Sequence, residues 1–213
     1  MGNGNLKPAS NLTAIVLAGG KSTRLGVDKA LERLDGQTVI ERVLARLSLL
    51  VADTVIVISQ RQAETSYLRD SGTKVVVDLY PDRAALGGVY TGLAASSSQY
   101  NFAVACDMPF LNTDLIRYMA SLAPDYDAVI PRVDKYIEPL HSIYSRNCLP
   151  AMKAVLDGGR LRFVDVFERL KVRYVERDEI DRFDPEHLSF FNINTQADLE
   201  LARTIVAMEA APQ

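Results

Sequence analysis

Short, nearly unbroken apolar runs alternate along this chain with amphipathic stretches of helical spacing. Residues 13–17 (TAIVL), 55–58 (VIVI), 75–77 (VVV) and 102–105 (FAVA) are too short for helices and show almost no polar alternation. Strands buried on both faces read this way, and such strands belong to parallel sheets covered by helices. Between the first two runs, Thr38 and Glu41 have the spacing of a capping box. Ile40, Val43, Leu44, Leu47 and Val51 then recur at three- and four-residue steps, which is one face of a helix. Further helices are predicted over 88–98, 113–122 (capped by Thr113), 150–156 and 161–170. Thr195 with Asp198 caps a last helix that ends near Ala210. Strands are expected at 128–131, 141–144 and 172–175. The expected class is therefore α/β: three layers, with a mostly parallel mixed sheet between two layers of helices. A flexible leader is expected at 1–11, and a single domain at 12–210.

Other features exclude several functions. The chain has 213 residues, enough for one substantial core, and a net charge of −3, which argues against general nucleic-acid binding. No apolar run approaches the ~18 residues of a membrane span, and the first residues lack the apolar core of a signal peptide. Cys106 and Cys148 are far apart and form no CxxC motif, so they are expected to be reduced thiols of a cytoplasmic protein.

In parallel sheets, ligands bind beyond the carboxyl ends of the strands. There the first run continues as Leu17-Ala18-Gly19-Gly20-Lys21-Ser22-Thr23-Arg24-Leu25-Gly26-Val27-Asp28-Lys29. Two glycines let the backbone turn tightly and approach an anion, and successive N–H groups in such a turn form an anion cradle. Arg24 and Lys29 add a planar fork and a point charge, a combination suited to a triphosphate. The segment is not a P-loop: that motif needs a glycine five residues before Gly20, where Ile15 stands. Nor is it GxGxxG, because Gly19 and Gly20 are adjacent.

LAGGKSTRLGVDK resembles the signature of the nucleotide-sugar-transferase-like nucleotidyltransferases. Its LAGG opening is most similar to the MobA-like molybdenum cofactor guanylyltransferases. The resemblance runs from about Thr13 to about Ala202 and includes 85–93 (ALGGVYTGL), 106–109 (CDMP), 138–141 (EPLH) and 191–195 (FNINT). It implies a Rossmann-like fold of the nucleotide-diphospho-sugar transferase type. It implies transfer of GMP from GTP to the terminal phosphate of molybdopterin cofactor, with Mg²⁺ and release of pyrophosphate. Leu17, Ala18, Gly19, Gly20, Lys29, Asp78 and Asp107 would bind the nucleotide. Arg24, Lys29 and Asp107 would carry catalysis, with Asp107 holding the metal, and Asn192 and Asn194 would face the acceptor. Proteins that deliver the labile cofactor are implied as transient partners.

Several residues remain open at this level. Asp107 ends a strand, where one carboxylate suffices to anchor a nucleotide-bound Mg²⁺; a turn or cap role is the alternative. Asn192 and Asn194 alternate, so on a strand they would share a face. His141 is expected to be a packed or surface histidine, since a phosphate acceptor is already ionised and needs no base. Arg160, Arg162, Arg169, Lys171 and Arg173 form a basic stretch that is either a solvated face or a hold on the acceptor's anionic groups. Tyr136 and Tyr144 are candidates to line a pterin pocket. Ile58 stands where relatives carry an asparagine-rich turn toward guanine, and its side chain cannot hydrogen-bond a base, which leaves Ser59, Gln60 or backbone groups for that contact. That leaves open CTP as donor, a sugar 1-phosphate as acceptor, or a non-catalytic nucleotide-binding adaptor.

Overall fold

The computed structural model describes residues 12–19, 29–63, 73–81 and 83–210. The chain begins with β1 (Leu12–Leu17), a hairpin of β2 (Arg33–Leu34) and β3 (Gln37–Thr38), and α1 (Val39–Leu47). It continues through β4 (Asp53–Ile58), α2 (Gln60–Ala63), β5 (Lys74–Val77), α3 (Ala84–Ala95) and β6 (Tyr100–Ala105). Next come α4 (Thr113–Leu122), β7 (Ala128–Val133), β8 (Tyr136–Ile137), β9 (His141–Ser145), α5 (Leu149–Asp157) and α6 (Phe163–Phe167). The last elements are β10 (Val172–Glu176), α7 (Arg177–Ile180) and α8 (Gln196–Ala210).

An eight-stranded sheet runs in the order β10-β7-β9-β6-β1-β4-β5, with β8 paired to β7. The pairs β6–β1, β1–β4, β4–β5 and β10–β7 are parallel, and β9 is antiparallel to both its neighbours. The sheet is thus mixed around a parallel core, as the apolar runs predict.

Strand periodicity sorts the core into two layers. Ala14, Val16, Ile56, Ile58, Phe102 and Val104 point to the face covered by α1 and α4. Ile15, Val55, Val57 and Ala103 point to the other, covered by α3, α5 and α6. Helix α3 lies very close to the sheet: a Cβ on Gly92 would stand 2.2 Å from Ile15 Cγ2. A third cluster packs α8, through Leu199, Ala202 and Val206, on Leu34, Val39, Phe110 and Ile193.

Several boundaries differ from the sequence expectation. The Thr38–Glu41 capping box forms, and so does the reciprocal pair of Thr195 and Asp198. Helix α4 is capped by Asn112 rather than Thr113: the Asn112 Oδ1 accepts the N–H groups of Asp114 and Leu115, each at 3.0 Å. Helix α3 begins at Ala84, four residues before the expected start at Gly88, so both glycines of the Leu-Gly-Gly segment are helical. Helix α6 covers only part of the predicted 161–170: Leu161 and Arg162 precede it as irregular chain, and Glu168 to Leu170 turn away after it. Residues 192–195 are not part of a strand. Among the described residues, no helix is long and apolar enough to cross a membrane.

Candidate active site

The carboxyl ends of β5, β4, β1 and β6 are stitched together by a row of backbone hydrogen bonds. Asp78 N–H donates to the Ile58 carbonyl at 2.9 Å, and Ala18 and Gly19 both donate to the Val57 carbonyl, at 2.9 and 3.1 Å. Cys106 N–H donates to the Leu17 carbonyl at 3.1 Å. Ile193 N–H donates to the Asp107 carbonyl at 3.0 Å, which lays the Asn-Ile-Asn segment beside Asp107. Asp78, Leu17, Ala18, Gly19, Asp107, Asn192 and Asn194 therefore come to one edge of the sheet, although up to 177 residues separate them (194 − 17). Gly20 and Arg24, and the side chain of Lys29, lie outside the described residues; the Lys29 backbone opens a short 3₁₀ turn, Lys29–Leu31.

Gly19 has a steric task. A Cβ there would stand 2.7 Å from the Ser59 nitrogen and 3.0 Å from the Ile58 carbonyl carbon, so no side chain fits between this loop and β4. Its N–H is taken by Val57, as is that of Ala18. The anticipated anion cradle is narrowed accordingly: these two N–H groups serve the scaffold. Gln62 closes the same corner. Its Oε1 accepts from the Ser59 N–H (3.0 Å) and hydroxyl (2.8 Å), and its Nε2 donates to the Ala18 carbonyl at 2.8 Å. Ile58 is 1% exposed and belongs to the core, so its side chain does not face a base. The sequence offered no signal for Gln62 beyond a polar residue in a turn.

Asp78 is likewise braced. Its Oδ1 accepts the Tyr80 N–H at 2.9 Å and lies 3.0 Å from the Thr91 hydroxyl, which itself accepts the Leu79 N–H at 3.0 Å. Thr91 is buried on α3, one turn after Gly87, so this helix fixes the acid.

Asp107 is half-buried just beyond β6. Among the described residues no three His, Cys, Asp or Glu side chains gather as a metal cluster. A single carboxylate at a strand end is what a Mg²⁺ carried in by a triphosphate requires, because phosphates and water complete its shell. The donor set thus fits Mg²⁺ and does not suit an ion caged by protein alone.

Beside Asp107, Ile193 is fully buried between Asn192 and Asn194, so the alternation holds without a strand. The Asn192 Nδ2 donates to the Phe190 carbonyl at 2.9 Å. The basic stretch does not act as a unit: Arg173 pairs with Glu179 at 2.6 Å, and the Lys171 ammonium sits 4.9 Å from the Tyr126 ring centre. Arg160 and Arg162 are exposed in the turn after Gly159, which approaches Arg83 at the entrance to α3. Of the two tyrosines, Tyr144 is fully buried with its hydroxyl on the Pro139 carbonyl, and so does not line a pocket. Tyr136 is 64% exposed on the β7–β8 hairpin.

His141 cannot serve as a base. Its ring is fully buried, edge-on to Phe102 and Phe190 with centroids 5.0 Å from each. Burial pushes its pKa down to about 3, against a smaller opposing pull from the Ser189 backbone. Both cysteines are free thiols; burial pushes the Cys148 thiol up to about 12, which keeps it protonated and inert.

Comparison with known proteins agrees with this arrangement. Residues 14–172 match the model of the MobA-like NTP transferase domain. A probable molybdenum cofactor guanylyltransferase of Natranaerobius thermophilus is 36% identical over 197 residues, covering 91% of this chain and 95% of the relative. The molybdenum cofactor guanylyltransferase of Desulfosudis oleivorans is 36% identical, over 92% of this chain and 96% of its own. The crystal structure of molybdopterin-guanine dinucleotide biosynthesis protein A from Archaeoglobus fulgidus superposes with a TM-score of 0.80 at 28% identity. That match covers 92% of this chain and 99% of the other.

Proposed function

The chain belongs to the MobA-like NTP transferase family, and from that membership we propose that it transfers GMP from GTP to the terminal phosphate of molybdopterin cofactor. An oxygen of the acceptor phosphate attacks the α-phosphorus in line; the bond from that phosphorus to the bridging oxygen breaks, and pyrophosphate leaves. Such transfers depend on positioning and charge neutralisation more than on proton transfer. The observation that carries the reading is the row of backbone bonds that brings Gly19, Asp78, Asp107 and the Asn192–Asn194 segment to one sheet edge.

In this reading Asp107 holds Mg²⁺, which neutralises charge on the bound triphosphate. Gly19 and Gly20 let the nucleotide approach the backbone, and Asp78 contributes to the same pocket. Arg24 and Lys29 neutralise charge growing on the leaving pyrophosphate. Asn192 and Asn194 face the acceptor, and Arg160 and Arg162 meet its phosphate. Residues 12–210 form one catalytic domain of a cytoplasmic enzyme, which receives and passes on the cofactor through transient delivery proteins.

One observation favours a second donor. With Ile58 buried and Ser59 engaged by Gln62, the exposed polar side chain left at this turn is Gln60, whose amide can pair with cytosine as well as with guanine. Pyrophosphate release with Mg²⁺, molybdopterin and either GTP or CTP separates the readings. Release with GTP alone is expected. Release with CTP alone moves the donor to cytidine, and nucleotide binding without release from either makes the chain an adaptor.

A further inference from the structure

Glu138 stands between β8 and β9 at the same sheet edge, and its backbone is fully employed. Its N–H donates to the Pro131 carbonyl at 3.0 Å. Its carbonyl accepts the His141 N–H at 3.1 Å and the Ser142 hydroxyl at 2.6 Å. The next carbonyl, of Pro139, accepts the Tyr144 hydroxyl at 2.8 Å. The backbone of the segment is thus anchored, and it fixes the point from which the Glu138 side chain starts.

That side chain is half-buried, yet among the described residues no cation or hydrogen-bond donor meets its carboxylate. Burial alone acts on it and raises its pKa. A carboxylate drawn out of water without a partner costs free energy, and proteins keep such groups where a ligand supplies the partner. The β6–β9 register relates Glu138 to Asp107. Val104 is opposite His141; three residues further along each chain segment, beyond the strand ends, stand Asp107 and Glu138. The two acids leave the sheet on neighbouring strands.

An ionised carboxylate only accepts hydrogen bonds, and its two oxygens match a planar pair of N–H groups. It repels phosphate, so it reads the end of a ligand remote from its phosphates. In the reaction proposed above, both substrates carry such a pair on a 2-amino-4-oxopyrimidine ring: guanine in GTP, and the pterin of the acceptor. The proposed nucleotide residues Gly19 and Asp78 follow β1 and β5, whereas Glu138 lies across β6, beside β7 and β9. Resting on the guanylyl-transfer reading, we propose that Glu138 recognises the pterin ring of the acceptor, its carboxylate taking the ring N–H and the exocyclic amino group.

The test compares wild type with Glu138→Gln in three measurements: KM for molybdopterin and for GTP, molybdopterin binding by quenching of pterin fluorescence, and thermal unfolding. The amide keeps the size but offers one acceptor and an opposing NH₂. Affinity and KM for molybdopterin should weaken by about 10–100-fold, the range for losing a charge-assisted pair, with KM for GTP unchanged. The midpoint of unfolding should stay or rise, because a half-buried charge is removed. Unchanged molybdopterin binding overturns the proposal, and a shift confined to GTP assigns Glu138 to the nucleotide instead, which also overturns it. A lowered midpoint with both substrates weakened equally makes the residue structural. Because binding is read without turnover, a wild type that binds molybdopterin but releases no pyrophosphate refutes guanylyl transfer while still judging Glu138.

Discussion

The two sides of the sheet's carboxyl edge are built differently. On the β1–β4–β5 side, the described side chains of Ser59, Gln62, Asp78 and Thr91 are tied to the protein. Gln62 bridges Ser59 to Ala18, and Asp78 is held by Tyr80 and Thr91. Gly19 leaves no space for even one methyl group. On the β9–β7–β10 side, Glu138 has no donor among the described residues, and Arg160 and Arg162 stand in solvent. The contrast suits a bi-substrate reaction in which one partner enters a prepared slot and the other completes its own site. A braced pocket spends no binding energy on ordering itself, which favours catalysis by positioning. An open side accepts a larger, more variable ligand.

Asp107 lies where the two sides meet, and its replacement is expected to have the largest effect. Asp107→Ala should lower kcat by about 10²–10³-fold or more, the usual cost of removing one electrostatic contact from the reacting centre. Added Mg²⁺ should not restore it. Pyrophosphate release near the wild-type rate would remove Asp107 from the metal and make the seam between the sides purely structural.

Thr91→Val attacks the braced side alone. Valine has nearly the same shape, but it leaves the Leu79 N–H without its acceptor and Asp78 Oδ1 without one neighbour. Stability should fall by about 1–3 kcal/mol in urea unfolding, the cost of a buried polar group left unmade. KM for GTP should rise severalfold while KM for molybdopterin holds. If both Michaelis constants move together, the two sides are not independent, and the comparison fails.

What could be read in the sequence follows the same division. The glycine loop, Asp107 and the paired asparagines were visible because contiguous motifs carry them. The three layers were visible because alternating faces of Ile15 and Val16 must both be apolar. The braces were not visible: Gln62 to Ala18 and Thr91 to Asp78 are contacts between segments that no local spacing marks. Tyr144 and Tyr136 look alike as sequence, yet one lies on a central strand and the other at a hairpin edge. Asn112 displaced Thr113 as a cap because either side chain can accept the free N–H groups and only the three-dimensional turn selects between them. Arg160, Arg162 and Arg173 share a charge run, but β10 draws the last toward Glu179 and away from the turn.

The smallest effect belongs to His141, beneath the open side. An imidazole with a pKa of about 3 in the fold and 6.5 when free binds a proton in the unfolded chain over the interval between those values, and not in the native one. Stability therefore falls as pH drops below about 6.5, by up to about 1.4 kcal/mol per unit, and is independent of this group above it. His141→Phe keeps an aromatic ring between Phe102 and Phe190 and removes the titration. Urea unfolding at pH 7.5 and pH 5.5 should show the variant gaining about 1.4 kcal/mol on the wild type at the lower pH. Turnover at pH 7.5 should be nearly unchanged, since the ring reaches no substrate. Parallel stability profiles would mean that the native imidazole takes up its proton with little penalty. The ground beneath Glu138 would then be more polar than its burial implies, and the contrast between the two sides would lie only at the surface.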